Sequence, residues 1–273
     1  MTGRLGFGIA AALGPSVAGD VAGEVERLGY TTMWTNDGAG GPGLALVAAA
    51  QRSTRVMRAG VGVIPCDLRG APEIARTIAA LGIDSSRAIV GLGSGRAEHP
   101  VEAVRAAVTD LRALLAPGST IAIAALGPRM CRLAGEIADV VLLNWMTPER
   151  ILWARERIAE GARRGDRKGG PRVASYVRVA IGADASERLA AEAGRYARIP
   201  QYGRSFAAMA VGPVTVGIAA LAADEVAPAL APYRNVLDET VVRALPSTDD
   251  ADGVLEIARS GVTIDRRSED LSR

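Results

Sequence analysis

The segment from residue 121 to residue 148 constrains the fold of this chain more than any other. It reads IAIAALGPRMCRLAGEIADVVLLNWMTP, in which two short apolar runs flank a stretch with helical character. The first run, Ile121–Leu126, breaks at a Gly-Pro pair, and the second, Val140–Trp145, ends at a Thr-Pro pair. Short apolar runs bounded in this way are typical of buried parallel strands, so the segment predicts a βαβ unit.

The same alternation continues along the 273 residues and predicts a single (β/α)8 barrel over residues 1–263, with a flexible charged tail over residues 264–273. The region 200–235 is too long for a loop and predicts extra helices. An open, doubly wound sheet is the alternative, but its first turn, Ala10–Pro15, lacks the dinucleotide-binding glycine spacing. The expected strands are Leu5–Ala10, Thr31–Asn36, Arg58–Ile64, Ala88–Gly93, Ile121–Leu126, Val140–Trp145, Val173–Ile181 and Thr240–Leu245. The expected helices are Val17–Leu28, Leu44–Arg52, Pro72–Leu81, Val101–Leu115, Arg129–Ala138, Pro148–Arg164, Ser186–Arg198 and Ala251–Ser260.

Composition narrows the range of partners. The chain is 49% hydrophobic with a formal net charge of +2, and no basic patch dominates, so we expect no nucleic-acid partner. No apolar run reaches the roughly 18–20 residues of a membrane span, and the N-terminus makes no convincing signal peptide. One histidine and two distant cysteines fit no metal site. We therefore expect a cytoplasmic protein that binds neither membrane nor metal.

Two glycine-rich strand exits predict an anion site. In a barrel of this class the active site lies at the carboxyl ends of the strands. The fourth expected strand ends in GLGSGR and the fifth in ALGPRM. Glycines let backbone N–H groups approach a ligand, and a helix N-terminus favours a phosphate. Ordinary turns are the alternative. The candidate phosphate residues are Gly93, Ser94, Gly95, Arg96, Gly127, Pro128 and Arg129.

Four further side chains near strand ends have two interpretations each. Asp37 either caps the helix that begins near Pro42 or contacts a ligand in the barrel mouth. His99 is a surface residue at a helix start or a base, and Cys66 is a small core residue or a ligand contact. Trp145 either stacks on a flat ring or packs under a neighbouring helix.

The chain resembles the bacterial luciferase-like superfamily, in particular its branch that depends on the deazaflavin coenzyme F420 and includes methylenetetrahydromethanopterin reductase. The similarity runs from about Leu5 to Pro246 and is strongest in ALGPRMCRLAGEIADVVLLNWMTPE (125–149) and RLGYTTMWTND (27–37). The stretches VGVIPCDLRGAPEIARTIAAL (61–81) and SSRAIVGLGSGR (85–96) add to it. The resemblance implies a (β/α)8 barrel that binds F420, or alternatively FMN, at its carboxyl-terminal face. It also implies a non-prolyl cis peptide at Gly62-Val63, in a bulge at the end of the third strand.

Three departures from the family pattern concern the rim of the site. Asp37 is followed by Gly38 where family members often have histidine, a familiar contact to the deazaflavin. The segment after GLGSGR is short, and so is the join from Leu115 to Thr120. We therefore expect shortened loops at the C-terminal face and an open mouth, unless a second subunit of a homodimer supplies a lid.

The resemblance implies hydride transfer between F420 and a small organic substrate. In this hypothesis Asp37, Gly62 and Val63 lie near the ring, the two glycine-rich exits hold the phosphate side, and Asn144 and Arg178 are weaker candidate contacts. The catalytic residues stay open. Three alternatives remain: a non-catalytic cofactor-binding protein of the same fold, an FMN-dependent monooxygenase, and a phosphate-handling barrel enzyme without flavin.

Overall fold

The computed structural model of the chain describes residues 3–37, 43–212 and 215–262. The predicted tail over residues 264–273 and the residue Gly38 lie outside this range. Within it, the helices and strands occur in the predicted order, and most boundaries agree with the predictions within one or two residues.

Eight parallel strands form a closed barrel. Consecutive strands pair from β1 to β7, and β9 closes the ring because it pairs with both β7 and β1. The closed ring confirms the predicted (β/α)8 barrel and excludes the open sheet, which would leave two edge strands. The strands are β1 Arg4–Ile9, β2 Thr32–Thr35, β3 Arg58–Pro65, β4 Ala88–Gly93, β5 Thr120–Ala124, β6 Val140–Asn144, β7 Arg172–Ile181, β8 Ile218–Ala220 and β9 Glu239–Ala244.

Helices surround the barrel, and their apolar sides pack on the outward faces of the strands. Six of the helices, including α5 and α6, carry proline in the first turn. Backbone N–H groups in the first turn have no partner within the helix, so the missing N–H of proline costs no hydrogen bond there. The helices are α1 Gly14–Arg27, α2 Gly43–Arg52, α3 Ala71–Ala80, α4 Pro100–Leu114, α5 Pro128–Ile137, α6 Pro148–Arg164, α7 Ala185–Ala197, α8 Pro200–Met209, α9 Val226–Val236 and α10 Ala251–Ser260.

The region 200–235 differs in part from its prediction. It contains the two helices α8 and α9, as expected, but also the strand β8, which no pattern in the sequence indicated. β8 pairs in parallel with the last three residues of β7, from Val179 to Ile181, so β7 extends past the barrel to meet it. Three residues are too few to show a periodicity, and only the partner strand makes this segment a strand.

A polar network closes the amino-terminal end of the barrel interior. Glu239 is 1% exposed, and its Oε1 atom accepts hydrogen bonds from Trp34 Nε1 at 2.7 Å and from the Thr32 hydroxyl. Its Oε2 atom lies 3.9 Å from Arg172 Nη1. A side chain at Gly6 would collide with Thr32 and Glu239, so the backbone of β1 must carry glycine there. We call Thr32, Trp34, Arg172 and Glu239 the floor network.

The join between α4 and β5 lies at the same amino-terminal end, and this corrects one expectation. Thr120, the first residue of β5, pairs with Ile89 near the start of β4. The preceding residues 115–119 therefore face away from the carboxyl-terminal mouth, and their length has no bearing on how open the mouth is. Among the residues that the structure describes, no helix is long and apolar enough to cross a membrane.

Candidate functional site

The end of β3 forms a bulge at the barrel mouth. Val61 pairs with Val90 and Ile64 with Leu92, so β3 advances three residues while β4 advances two. The extra residue falls at Gly62-Val63, and the peptide bond between them is cis, which confirms the prediction. Tyr176 on β7 donates a hydrogen bond from its hydroxyl to the Gly62 carbonyl oxygen at 3.2 Å, across the barrel interior. The hydroxyl thus fixes the bulge from the inside.

Small residues line the mouth next to this bulge. A Cβ atom at Gly91 or Gly93 would press on the Val63 side chain, so glycine on β4 makes room for the bulge. On β5 the neighbouring small residue is Ala124, whose Cβ lies 3.9 Å from the position a Cβ of Gly93 would take. The half of the mouth formed by β3, β4 and β5 is therefore lined by backbone and short side chains, which suits the close approach of a flat ring.

The opposite half of the mouth carries two buried arginines. Arg178 on β7 and Arg243 on β9 are direct register partners and are 3% and 8% exposed. Tyr176 and Val241, two residues earlier on each strand, belong to the cluster inside the barrel, so both arginines also face inward. Gly8 on β1 leaves room for this, because a Cβ there would lie 3.1 Å from Cδ of Arg243.

A polar network surrounds Arg178. Its Nε donates to Oε1 of Glu192 on α7 at 3.2 Å, and its Nη1 donates to Oδ1 of Asn144 at the end of β6. Asn144 in turn donates to the Tyr202 hydroxyl on α8 at 2.8 Å. Burial raises the pKa of Tyr202 to about 12, so this hydroxyl stays protonated at neutral pH while it accepts from Asn144.

The helices α7 and α8 form a roof over this half of the mouth, and Trp145 joins the roof to the barrel. Trp145 is 1% exposed, and its ring lies 5.4 Å from Tyr196 on α7 and 5.9 Å from Phe206 on α8. The Arg178 guanidinium lies 4.2 Å from the Trp145 ring centroid. Of the two interpretations, packing under a helix is the one observed. The backbone of Trp145 is left-handed, with φ at 54°, which costs about 1–2 kcal/mol for a bulky residue and is sustained by this packing.

Asp37 caps the start of α2, which is the first of the two interpretations that the sequence allowed. Its Oδ1 accepts from the backbone N–H of Gly43, the first residue of α2, at 2.8 Å. Its Oδ2 lies 2.9 Å from Nη1 of Arg69, and the Asp37 side chain is only 4% exposed. Both carboxylate oxygens of Asp37 therefore already have partners within the chain, and a cofactor could contact Asp37 only by sharing these oxygens.

The glycine turn after β4 already holds an acidic side chain. The backbone N–H of Arg96 donates to Oδ2 of Asp67 at 2.8 Å, and a Cβ on Gly95 would collide with the same carboxylate. Gly95 has φ at 56°, the left-handed conformation that such a concave turn requires. The turn does bind an anion, but that anion is the Asp67 carboxylate, and the assignment of Gly93, Ser94, Gly95 and Arg96 to a cofactor phosphate stays a prediction.

The start of α5 is more open. Nothing lies within 4 Å of a Cβ placed on Gly127, the N-cap residue, and no side chain caps this helix. Arg129 is exposed, and its guanidinium lies 3.6 Å from Glu102 in the first turn of α4. Free first-turn N–H groups with a nearby cation fit a phosphate, so Gly127, Pro128 and Arg129 remain the candidate phosphate residues.

The remaining candidates lie outside these networks. His99 is exposed at the start of α4 and caps nothing with its side chain. Cys66 is half-buried, and burial together with the neighbouring Asp67 raises the pKa of its thiol. In the described part of the chain, no three His, Cys, Asp or Glu side chains are grouped to hold a metal ion.

Sequence reasoning did not single out Arg243, Glu192 and Tyr202, which the structure brings together at the mouth. Arg243 had a usable signal, since a charged residue inside the apolar strand ETVVRA needs a partner or a ligand. Glu192 and Tyr202 had none, because they stand on amphipathic helices whose docking over the mouth is a tertiary feature.

Comparison with known proteins places the fold in a known family context. The sequence model of the family described as luciferase-like monooxygenase matches residues 98–213. A 5,10-methylenetetrahydromethanopterin reductase from Methanolobus tindarius is 27% identical over 203 residues, which cover 61% of this chain and 62% of the relative. The chain thus matches less than two thirds of that enzyme's length.

Solved structures match nearly the whole chain. An F420-dependent secondary alcohol dehydrogenase in complex with an F420-acetone adduct superposes with a TM-score of 0.77 at 17% identity, covering 96% of this chain and 98% of the other. The oxygenating constituent of 3,6-diketocamphane monooxygenase from Pseudomonas putida, in complex with FMN, superposes with a TM-score of 0.67 at 15% identity, covering 95% and 97%. The family match and the curated homologue confirm the resemblance of this chain to the luciferase-like superfamily and to methylenetetrahydromethanopterin reductase. The superpositions confirm the shared barrel fold.

Proposed function

We propose that this protein is a deazaflavin-dependent oxidoreductase that transfers hydride between coenzyme F420 and a small organic substrate. The observation that carries the proposal is the bulge at Gly62-Val63 beside a mouth lined by Gly93 and Ala124 on one side and by buried polar groups on the other. The dehydrogenase structure, an F420 enzyme by its name, supports F420 over FMN. The FMN-bound oxygenase keeps FMN as the alternative.

The residues present fit a flat cofactor with a phosphate tail. Val63 and the small residues of β4 and β5 offer an apolar surface for the ring, and the uncapped start of α5 offers backbone donors for the phosphate. When bound, the deazaflavin supplies hydride chemistry at C5, while the protein supplies position and electrostatics. Asn144 and Tyr202 orient the substrate, and α7 and α8 exclude water from its side of the mouth.

Titration of the protein with F420 and, separately, with FMN tests the cofactor. We expect saturable changes in deazaflavin fluorescence with F420 and weaker binding of FMN. Tighter binding of FMN would move the proposal to the monooxygenase alternative, and binding of neither would leave a phosphate-handling barrel without flavin.

Two variants locate the phosphate. Arg129→Gln should weaken F420 binding about tenfold or more if its guanidinium contacts the phosphate. Arg105→Gln on α4, whose side chain pairs with Glu136, serves as the control of equal charge change.

Asp67→Asn removes the charge that now occupies the glycine turn after β4. Tighter binding in this variant would assign the phosphate to that turn, and unchanged binding would assign it to the start of α5.

Turnover of reduced F420 with a panel of enones and imines then separates an enzyme from a non-catalytic binding protein. Tight F420 binding with no turnover of any member would favour the latter. Light scattering in parallel tests the possible homodimer, in which the alanine-rich helix α4 would pack on a neighbour.

A further inference from the structure

Arg178 and Arg243 place two positive charges side by side in the barrel mouth. They are partners in the β7–β9 register, and neighbouring strands lie only about 4.8 Å apart. Because both side chains are buried and face inward, water cannot screen their repulsion as it does at a surface. The fold therefore needs negative charge at this point.

Among the described residues, Glu192 is the one carboxylate that forms an ion pair with either of these arginines. Glu192 Oε1 pairs with Arg178, and Glu192 Oε2 lies 3.4 Å from the exposed Arg195. Within residues 3–37, 43–212 and 215–262, Arg243 forms no ion pair, and its one hydrogen bond runs from Nη1 to the carbonyl oxygen of Ala244 at 2.7 Å. Two buried guanidinium groups thus share one acid, which they also share with a third arginine.

An unpaired buried charge is unfavourable, and arginine cannot escape it by losing its proton in the accessible pH range. Burial lowers the pKa of Arg243, Glu192 raises it and the neighbouring Arg178 lowers it, so the Glu192 carboxylate acts on Arg243 without forming an ion pair with it. The remaining N–H donors of Arg243 form a planar fork, which matches a carboxylate with two parallel hydrogen bonds.

We propose that the arginine pair, Arg178 and Arg243, binds the carboxylate group of an anionic substrate, with Glu192 and Asn144 holding Arg178 in place. This inference rests on the proposed function and adds the substrate class to it. The aromatic rings of Tyr196 and Tyr202 stand 4.8 Å apart on the roof, so the organic part of such a substrate meets an apolar wall beside the charged one.

Benzoate and benzamide test the inference without any cofactor, because they differ in charge but hardly in shape. Trp145 lies against Arg178, so intrinsic tryptophan fluorescence reports binding at this position. We expect benzoate to bind about tenfold tighter than benzamide, as a charge-assisted pair of hydrogen bonds predicts. Equal binding of the two ligands would overturn the inference.

Variants test whether Arg243 is the source of the preference for benzoate over benzamide. Arg243→Gln should abolish the benzoate preference, Arg243→Lys should retain only part of it because an ammonium group lacks the fork, and Arg105→Gln on the outer helix should leave it intact. If thermal unfolding shows that Arg243→Gln does not fold, Arg243→Lys decides, and an unchanged preference in that variant would refute the assignment. The F420 titration is read separately: benzoate selectivity without cofactor binding refutes the proposed function alone, and cofactor binding without selectivity refutes this inference alone.

Discussion

The two ends of the barrel interior carry buried charge in opposite ways. At the amino-terminal end, Oε1 of Glu239 accepts two hydrogen bonds, and Oε2, which accepts none within the described residues, lies 3.9 Å from Nη1 of Arg172. The floor network thus gives this buried carboxylate a cation of its own. At the carboxyl-terminal end, Glu192 pairs with Arg178, and the adjacent Arg243 forms no ion pair within the described residues. The same two strands, β7 and β9, pass through both ends. Buried charge is thus balanced differently at the two ends, which is the basis of our proposal that the carboxyl-terminal end receives a ligand.

The largest effect should come from the floor network. Glu239→Met leaves the buried Thr32 hydroxyl without its acceptor and leaves Trp34 Nε1 only its longer hydrogen bond to Thr32 Oγ1 at 3.1 Å. We expect a loss of about 3–5 kcal/mol in the free energy of unfolding, measured by urea denaturation. Glu239→Gln is the matched control and should lose less, because its amide oxygen still accepts. A loss below about 1 kcal/mol in Glu239→Met would break the comparison, since the floor would then not be stabilising.

The second-largest effect on stability should come from a substitution at the barrel mouth. At Gly62 a Cβ would collide with Leu142 and lie 2.7 Å from the Tyr176 hydroxyl, whereas at Gly127 it meets nothing within 4 Å. We expect Gly62→Ala to lower stability by about 1–3 kcal/mol and to weaken cofactor binding, because the bulge must shift. Gly127→Ala, also a glycine of the candidate site, should change stability by less than about 0.5 kcal/mol. Equal effects in urea denaturation would contradict the structure.

Glu26 should make the stability of the amino-terminal end depend on pH. Burial raises the pKa of Glu26, but the backbone N–H groups of Arg55, Val56 and Met57, which come just before β3, outweigh it and hold the pKa below its usual value. A depressed carboxyl pKa means stability that is present above the unfolded-state value and is lost as the pH falls through the folded-state value.

We therefore expect Glu26→Gln to lose about 1–2 kcal/mol at pH 7 and to show a smaller decline in stability between pH 5 and pH 3 than the unchanged protein. Urea denaturation across this pH range measures both. Identical pH slopes would remove Glu26 from the set of stabilising carboxylates at this end.

The smallest effect on stability is expected at Arg243, and it tests the contrast between the two barrel ends most directly. Arg243→Met removes a buried cation that has no carboxylate of its own, so we expect unfolding stability to stay within about 1 kcal/mol or to rise. Benzoate selectivity should be lost in the same variant. A large destabilisation would show that the arginine pair is balanced within the chain, as the floor network is, and the two ends would then be alike.

The barrel itself could be predicted from sequence because its strands are apolar runs bounded by glycine and proline, and such local patterns survive in any context. The bulge at Gly62-Val63 came from family resemblance, since no local pattern marks it. The strand β8 and the covering of the mouth by α7 and α8 could not be predicted, because they depend on pairing and packing with distant strands. For the same reason, Asp67 and Arg96, which are 29 positions apart, gave no sign that they would form a pair.

The pairing of β7 with β8 has a consequence for how this protein can change. The segment between Gly182 and Gly217 leaves and re-enters the barrel at neighbouring points, because Ile181 pairs with Ala220 and the Gly182 N–H donates to the Ala220 carbonyl at 3.0 Å. Because strand pairing holds the two ends of this segment next to each other, a segment of different length could replace it without altering the closure of the barrel. Evolution, or a protein engineer, could thus replace this segment and change the roof of the site while the half of the mouth formed by β3, β4 and β5 stays unchanged.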